Sequence, residues 1–577
     1  MRFAVAFVTL LIALVLVGTG FAQRTILKPD DHLTVSTQVP ADIHYVVVPG
    51  SVLKSHAGRQ QLRLAGDDVV FASYGRTADV TAWLSGQQYA ELRVDAAGTA
   101  VKPVLRTAPV VAGLRGGTPD PDGSDLWMDQ RRADGSLTWN VNVPDSVSLL
   151  IASNGADPAP SSVRVTWPIS TATPFAVPLL VAGGLLAIVG LLLLAWAFVH
   201  VRRGRGPRRK SPGRMPKRPA PPRYRPQRPA SAAPVPGRGR RSVHRRVALG
   251  GTAAVAVLLG AALVPVDAPA QAAAGSDDAA VSEQQATRIA QRVAEVAARA
   301  DKKKDAAAAG ERFAGAALDL RKAAYTIRKK DRKAALPQAV PLAHATTQLI
   351  LPEAVTGWPR TLFVVVADSS SKKIAPLALA MVQDDPRADY KVHFAVSLQP
   401  GARLPVLPSA LSGATRLAAS TPVLEVPPGD LAADYGSVLR DSGSDAAEEF
   451  DLTKDNLAKG VGEVAKKKVA KKLGSTAGIT FSDLKTDPAS VIALSTAGSG
   501  ALVAVRLDER WTVKPKRGGV TVRPSGGTRI LAKTTSTSKG IVSVYGYQLL
   551  FSVPSAGSNK PATLLGYAQG LVSAKEL

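Results

Sequence analysis

Three apolar runs stand out from a chain that otherwise alternates apolar and polar positions. They cover residues 3–22, 175–199 and 247–266. At 1.5 Å rise per residue each is long enough to cross a bilayer as a helix. The first follows Arg2 and ends in small residues at Gly20 and Ala22, so residues 1–22 read equally as a cleaved secretory signal or a retained anchor. The second holds no charge and is followed at once by VRRGRGPRRK, a flank that orients a helix with its basic end in the cytoplasm. The third is richer in Ala and Gly, so a buried soluble helix competes with a span there. Small residues four apart, Gly183/Ala187, Gly250/Ala254 and Ala256/Gly260, would permit close helix contact.

Between the first two runs the period falls to two. HLTVST, HYVVV, DVVFASYG, DVTAWLS, AELRV, LTWNVNV, VSLLIAS and VRVTWP read as short strands separated by turn signals such as Asp134-Gly135. This predicts an antiparallel all-β sandwich or jelly roll over 23–173.

After the third run the period rises to 3.6. Ser282 and Gln285 form a capping-box signature ahead of the apolar stripe Ala286, Ile289, Val293 and Ala297. A second helix with Phe313, Leu320, Ala324 and Ile327 follows, then strands at 361–368, 376–383 and 391–398. On the last, Val392, Phe394, Val396 and Leu398 are expected on one face, opposite Lys391, His393 and Ser397. Helices then recur at 429–440 and 453–473, and strands at 490–494, 501–514, 541–553 and 563–573. Helices before a curved sheet, twice over, resemble the nuclear transport factor two-like (cystatin-like) α+β cone, which implies two cone-like domains, 267–428 and 429–577.

Four segments, GRTADVTAWLSGQQYAEL (75–92), GSDLWMDQ (123–130), LLIASNGADPAPSSVRVTWP (149–168) and WPRTLFVVVAD with VQDDPRADYKV (358–392), resemble uncharacterised actinobacterial multi-pass membrane proteins with extracytoplasmic domains. The resemblance implies architecture and location, and no catalytic residue. The expected chain is a membrane protein with two or three transmembrane helices. An extracytoplasmic β domain precedes a transmembrane helix at 174–200, a cytoplasmic loop at 201–246, a further helix at 247–266 and the cone-like domains outside.

Charge sharpens that topology. The chain has 577 residues and a formal net charge of +27. Residues 202–246 alone hold seventeen Lys or Arg, ten prolines and no acid. Proline makes this loop extended, and its cations, among them Arg202, Arg203, Arg205, Arg208, Arg209, Lys210, Arg240 and Arg241, suit anionic phospholipids of the inner leaflet. Ser211 and Ser242 lie inside the basic run as candidate phosphorylation sites, where added negative charge would weaken lipid attraction. Nucleic-acid or proline-reading partners are the competing reading of the loop.

Candidate chemistry is sparse. There is no cysteine, which excludes thiol catalysis, thiolate metal sites and disulfides. GTRILAKTT (527–535) approaches a phosphate-binding loop, but Ala532 stands where the motif needs glycine. Asp120, Asp122 and Asp125 offer oxygen ligands without the spacing of a calcium loop. Trp83, Trp127, Trp139 and Trp167 read as a core set or a carbohydrate platform, KKKVAKK (466–472) as a solvated face or a polyanion contact. His393 is the one histidine near cone-cavity carboxylates, Asp384 or Asp389. No catalytic, cofactor or metal residue is assigned. The expected function is a non-enzymatic envelope protein whose outer domains bind or scaffold a ligand or another envelope protein. A cone-cavity enzyme is the alternative.

Overall fold

The computed structural model describes residues 1–27, 30–95, 100–114, 116–169, 175–203, 279–485 and 487–577. Helix α1 (Arg2–Arg24) opens the chain. Strands β1 (His32–Gln38), β2 (Tyr45–Pro49), β3 (Gln60–Arg76), β4 (Gln88–Val94), β5 (Val101–Thr107), β6 (Asp129–Val141), β7 (Val147–Ala152) and β8 (Ser162–Pro168) follow, with short helices α2 (Gly50–Leu53) and α3 (Thr77–Trp83) between them; α4 (Ala176–Arg203) comes next. The C-terminal part holds α5 (Glu283–Lys303), α6 (Ala306–Ala309), α7 (Gly315–Lys330), then β9 (Ala345–Pro352), β10 (Arg360–Asp368), β11 (Leu377–Gln383) and β12 (Lys391–Leu398). It continues with α8 (Leu431–Arg440), α9 (Asn456–Val461), α10 (Glu463–Leu473), β13 (Ala477–Leu484), β14 (Ile492–Ser495), β15 (Ala501–Pro515), α11 (Gly526–Ala532), β16 (Ile541–Val553) and β17 (Thr563–Glu576).

The described residues form two compact units, α1 with α4 and residues 30–169 with 279–577. Helices α1 and α4 are each long and apolar enough to cross a membrane. They lie antiparallel: Phe3 meets Phe198 with ring centroids 5.5 Å apart, and Arg2 sits over the Trp196 ring. Their contact is built on small residues seven apart, Ala6, Ala13 and Gly20 against Ala176, Gly183, Gly190 and Ala197. Seven residues are close to two helical turns, so the small side chains share one seam and let the backbones approach. A Cβ on Gly183 would lie 2.7 Å from Val17 Cγ2 and 2.9 Å from Val17 N. The seven-residue spacing, not the four-residue Gly183/Ala187 pair, makes the contact. Residues 204–278, including most of the basic loop and the run 247–266, lie outside the described residues.

In the second unit both sheets curl into barrel-like forms. The N-terminal sheet runs β1-β8-β3-β7-β2-β4-β5 with β6 on β3. It is mixed, because β2 and β4 pair in parallel, Val46 opposite Ala90. DVTAWLS, read above as a strand, is mainly helix α3. Val80, Trp83 and Leu84 are buried at helical spacing, and the polar-apolar alternation that also fits a strand does not control the segment. Trp139 and Trp167 join the main core of this lobe, and Trp83 and Trp127 a second apolar cluster with Tyr45 and Phe71. All four tryptophans are buried.

The C-terminal lobe has one sheet, β13-β15-β16-β17-β12-β11-β10-β9, with β14 on β15. Its two helix-then-strand halves join where β12 and β17 pair at only two positions, Ser397 with Tyr567 and Leu398 with Gly566. Alternate residues of the strands point two ways. Leu362, Val364 and Val366 pack under α5 and α7, and Val503, Val505 and Leu507 under α8. Phe363, Val365, Leu502 and Ala504 instead share a core between the halves. Strands buried on both faces explain the unbroken apolar runs of β10 and β11. On β12 a register shift opposite Ala380/Met381 moves Val392 to the helix side, whereas Phe394, Val396 and Leu398 stay in the shared core.

Candidate functional site: a buried junction between two lobes

The capping box expected at Ser282 is present, with Gln285 N–H donating to Ser282 Oγ and Gln285 Oε1 accepting from Ser282 N–H. It starts α5 against the N-terminal lobe rather than in solvent. The Gln285 side-chain amide reaches across to donate to Leu126 O at 2.9 Å. One and two turns further on, Arg288 donates to Met128 O and Trp127 O, and Arg292 to Gly123 O. One face of α5 therefore satisfies four carbonyls of the 123–128 loop, those of Gly123, Leu126, Trp127 and Met128.

Asp125 is the centre of this contact. Its side chain is fully buried and accepts from Arg312, from Arg292 at 3.1 Å and from Tyr390 N–H at 2.9 Å. Arg312 also touches Asp389 at 3.1 Å, so one guanidinium serves two carboxylates. Burial first and the Asp125 charge second push the Asp389 pKa up to about 6, against the pull of Arg312.

A second cluster lies at α3. Asp79 accepts from Arg76 at 2.9 Å and from Arg360 at 2.7 Å. Arg76 extends its other nitrogens to Ala279 O and Ala280 O, holding the first described residues of the C-terminal lobe. Arg360 stacks on Trp358: its guanidinium carbon lies 3.7 Å from the ring centroid, and it also donates to Gly357 O and Thr356 O. Arg387 donates to Trp83 O and Ser85 O, and Trp358 packs on the Trp83/Trp127 cluster. Desolvated charges of this kind hold only where every partner is in place. The arrangement is a geometrically specific joint between the two lobes.

Sequence reasoning named Asp125 as an oxygen ligand, Asp389 as a cavity carboxylate, and Trp83 and Trp127 as core or platform aromatics, but did not group them with Arg76, Asp79, Arg312, Arg360 and Arg387. Most of the joint falls within segments quoted above for their resemblance, 75–92, 123–130 and 358–392. The usable signal was a charge embedded among aromatic and apolar neighbours, as in GSDLW and WPRTLF. Of the acidic loop, only Asp125 enters the joint. Asp122 pairs with Arg132, and Asp120 accepts from Asp122 N–H. Among the described residues no group of three or more His, Asp or Glu is placed to hold a metal.

The other candidates fall elsewhere. Arg202 and Arg203 are exposed at the C-terminal end of α4, whereas Arg205, Arg208, Arg209, Lys210, Ser211, Arg240, Arg241 and Ser242 lie outside the described residues. His393 is half-buried beside Gly315, and burial lowers its pKa despite the opposing charge of Asp384. In KKKVAKK, Lys466 is buried on Glu509 at 2.9 Å and the others are solvated to differing degrees. GTRILAKTT contributes most of helix α11 itself and so has no phosphate-cradling loop before a helix.

Two β-rich lobes are thus joined by buried ion pairs, in a chain with two helices long and apolar enough to cross a membrane. Residues 278–576 match the family described as Domain of unknown function (DUF8094), and the chain belongs to that family. The match takes in both halves of the C-terminal lobe, in keeping with their shared core. No curated protein and no solved structure matches the chain.

Proposed function

We propose that this chain is a non-enzymatic, multi-pass protein of the bacterial cell membrane. Its two lobes form one extracytoplasmic unit that binds or scaffolds an envelope ligand or partner. The 201–246 loop lies in the cytoplasm against anionic phospholipids. The observation that carries the reading is the Asp79–Arg360 and Asp125–Arg312 joint. Lobes that share buried ion pairs must share a compartment, and α4 lies between them in the chain. If α4 crosses the bilayer, an even number of crossings must separate residue 170 from residue 279, which supports a second span at 247–266. The antiparallel contact of α1 with α4 supports α1 as a retained anchor, and places Arg2 at the same end as Arg202 and Arg203. Twice-repeated helix-then-sheet order supports a cone-like description of the C-terminal halves, and the curled N-terminal sheet supports a sandwich- or jelly-roll-like one.

Because the chain has no cysteine, single-cysteine labelling tests this directly. Val110→Cys and Val406→Cys, at positions 79% and 78% exposed, should react with a membrane-impermeant maleimide on intact cells. Ser231→Cys should react only after lysis. Opposite sidedness of Val110 and Val406 would refute the shared compartment, and labelling of Ser231 from outside would refute the orientation.

A further inference from the structure

The C-terminal lobe carries a basic groove that the joint does not use. We propose that the groove between the C-terminal end of α7 and α11 binds the phosphate groups of an anionic ligand. It is an open cavity of about 430 Å³ lined by Lys330, Asp331, Arg332 and Lys333 at and just after the end of α7 and by Gly526, Arg529 and Ile530 of α11.

Two remote stretches meet there. Residues 322–333 hold six cations and one acid, and residues 514–539 hold seven cations and no acid. The fold brings the end of one beside the middle of the other. The two helices touch here, since a Cβ on Gly527 would lie 2.9 Å from Ile327 Cδ1 on α7. Elsewhere in this lobe many arginines and lysines are spent on carboxylates, as Arg292, Arg312, Arg360, Arg440, Arg506 and Lys466 are. The groove cations instead stand exposed around a concave space.

The lining also holds one acid, Asp331, against four cations, Lys330, Arg332, Lys333 and Arg529. Asp331 Oδ1 accepts from Lys333 N–H at 2.9 Å, which fixes the turn that presents Arg332 and Lys333. Arg328 donates to Ala334 O and closes the same turn from behind. Cations in the last turn of α7 also complement its helix dipole, which accounts for Lys330. It does not account for Arg332, Lys333 and Arg529, which lie beyond that helix. Converging guanidinium and ammonium groups around a preformed concavity match tetrahedral, multiply charged oxyanions, with arginine able to donate two parallel hydrogen bonds.

This deepens the scaffold reading by giving the outer unit a ligand class, and it rests on that reading only for the side of the membrane from which the ligand comes. The source, a soluble phosphate compound or a lipid headgroup, is separated by two probes: inorganic pyrophosphate and water-soluble dihexanoyl phosphatidylglycerol. Each is added to the full chain in neutral detergent, and hydrogen exchange is followed peptide by peptide, so that binding at the 202–246 loop is read separately. Protection should appear at 326–334 and 523–534 with at least one probe, and the probe that gives it identifies the source. The combined substitution Lys330→Gln, Arg332→Gln and Arg529→Gln should raise the half-saturating concentration at least about tenfold. Lys468→Gln, Lys471→Gln and Lys472→Gln on α10 remove the same charge elsewhere and should leave it unchanged. Unaltered exchange at β10–β12 checks that the variants fold. No local protection with either probe, or equal protection in the groove variant, overturns the proposal. Cysteine labelling that fails while groove protection persists would refute the orientation and leave the site standing.

Discussion

Asp79 and Arg360 stand 281 residues apart in the chain and meet at 2.7 Å with side chains 2% and 1% exposed. Neither lobe alone supplies both partners. Removing one leaves the other as a buried, unpaired charge, which costs far more than the net worth of the pair.

Asp79→Ala should therefore destabilise the joined lobes by about 3–5 kcal/mol. Replacing both members of the pair, Asp79→Ala with Arg360→Met, should cost less than the single change, because the buried Arg360 charge is gone and only Arg76, 12% exposed and still donating to Ala279 O and Ala280 O, loses its carboxylate. Thermal unfolding of the full chain in detergent measures both. A double variant worse than the single one would mean that the pair is not the governing contact.

Asp389 makes the joint sensitive to pH. Its folded pKa is raised to about 6, above the unfolded value near 4, so the folded state holds the proton more tightly. Its contribution to stability is complete below about pH 4 and is lost as pH rises through about 6. Asp389→Asn should flatten the unfolding profile across that window. An unchanged slope in the variant would assign the dependence to other groups.

The α1–α4 seam predicts a chemical readout. Phe3→Cys with Phe198→Cys should be joined efficiently by a short bis-maleimide, since the native rings are 5.5 Å apart between centroids. Adding Gly183→Ile should cut that yield severely, because even a Cβ there meets Val17 at 2.7 Å. Equal yields would mean that the helices do not rely on the small-residue seam.

In the second half of the C-terminal lobe, Lys466 and Glu509 are 5% and 2% exposed and paired at 2.9 Å. Lys466 also donates to Leu439 O and Val461 O, and Trp511 Nε1 donates to Glu509. Lys466→Ala should cost about 3–5 kcal/mol, while Lys471→Ala on the same helix should change stability by no more than about 0.5 kcal/mol. Equal effects of the two substitutions on thermal unfolding would put Lys466 back among the solvated lysines.

The sequence by itself determined many of the local elements, though not β9, β13 or α11, nor the break between α9 and α10 in the helix expected at 453–473. Apolar length marked α1 and α4, period two marked β15, β16 and β17 to within a few residues, and Ser282 with Gln285 marked the start of α5. These signals are local: an apolar run, a periodicity or a cap is decided by residues within a few turns of one another. Where two periods fit the same letters, as in DVTAWLS, local pattern could not choose, and the packing of Val80, Trp83 and Leu84 did. The bulge that turned Val392 to the other face likewise depends on a neighbouring strand. The partners of Asp79 and Asp125, and the meeting of the α7 and α11 cations, were decided only by the tertiary structure. A side chain's letter records its charge and size, but which opposite charge reaches it is settled by chain segments hundreds of residues away.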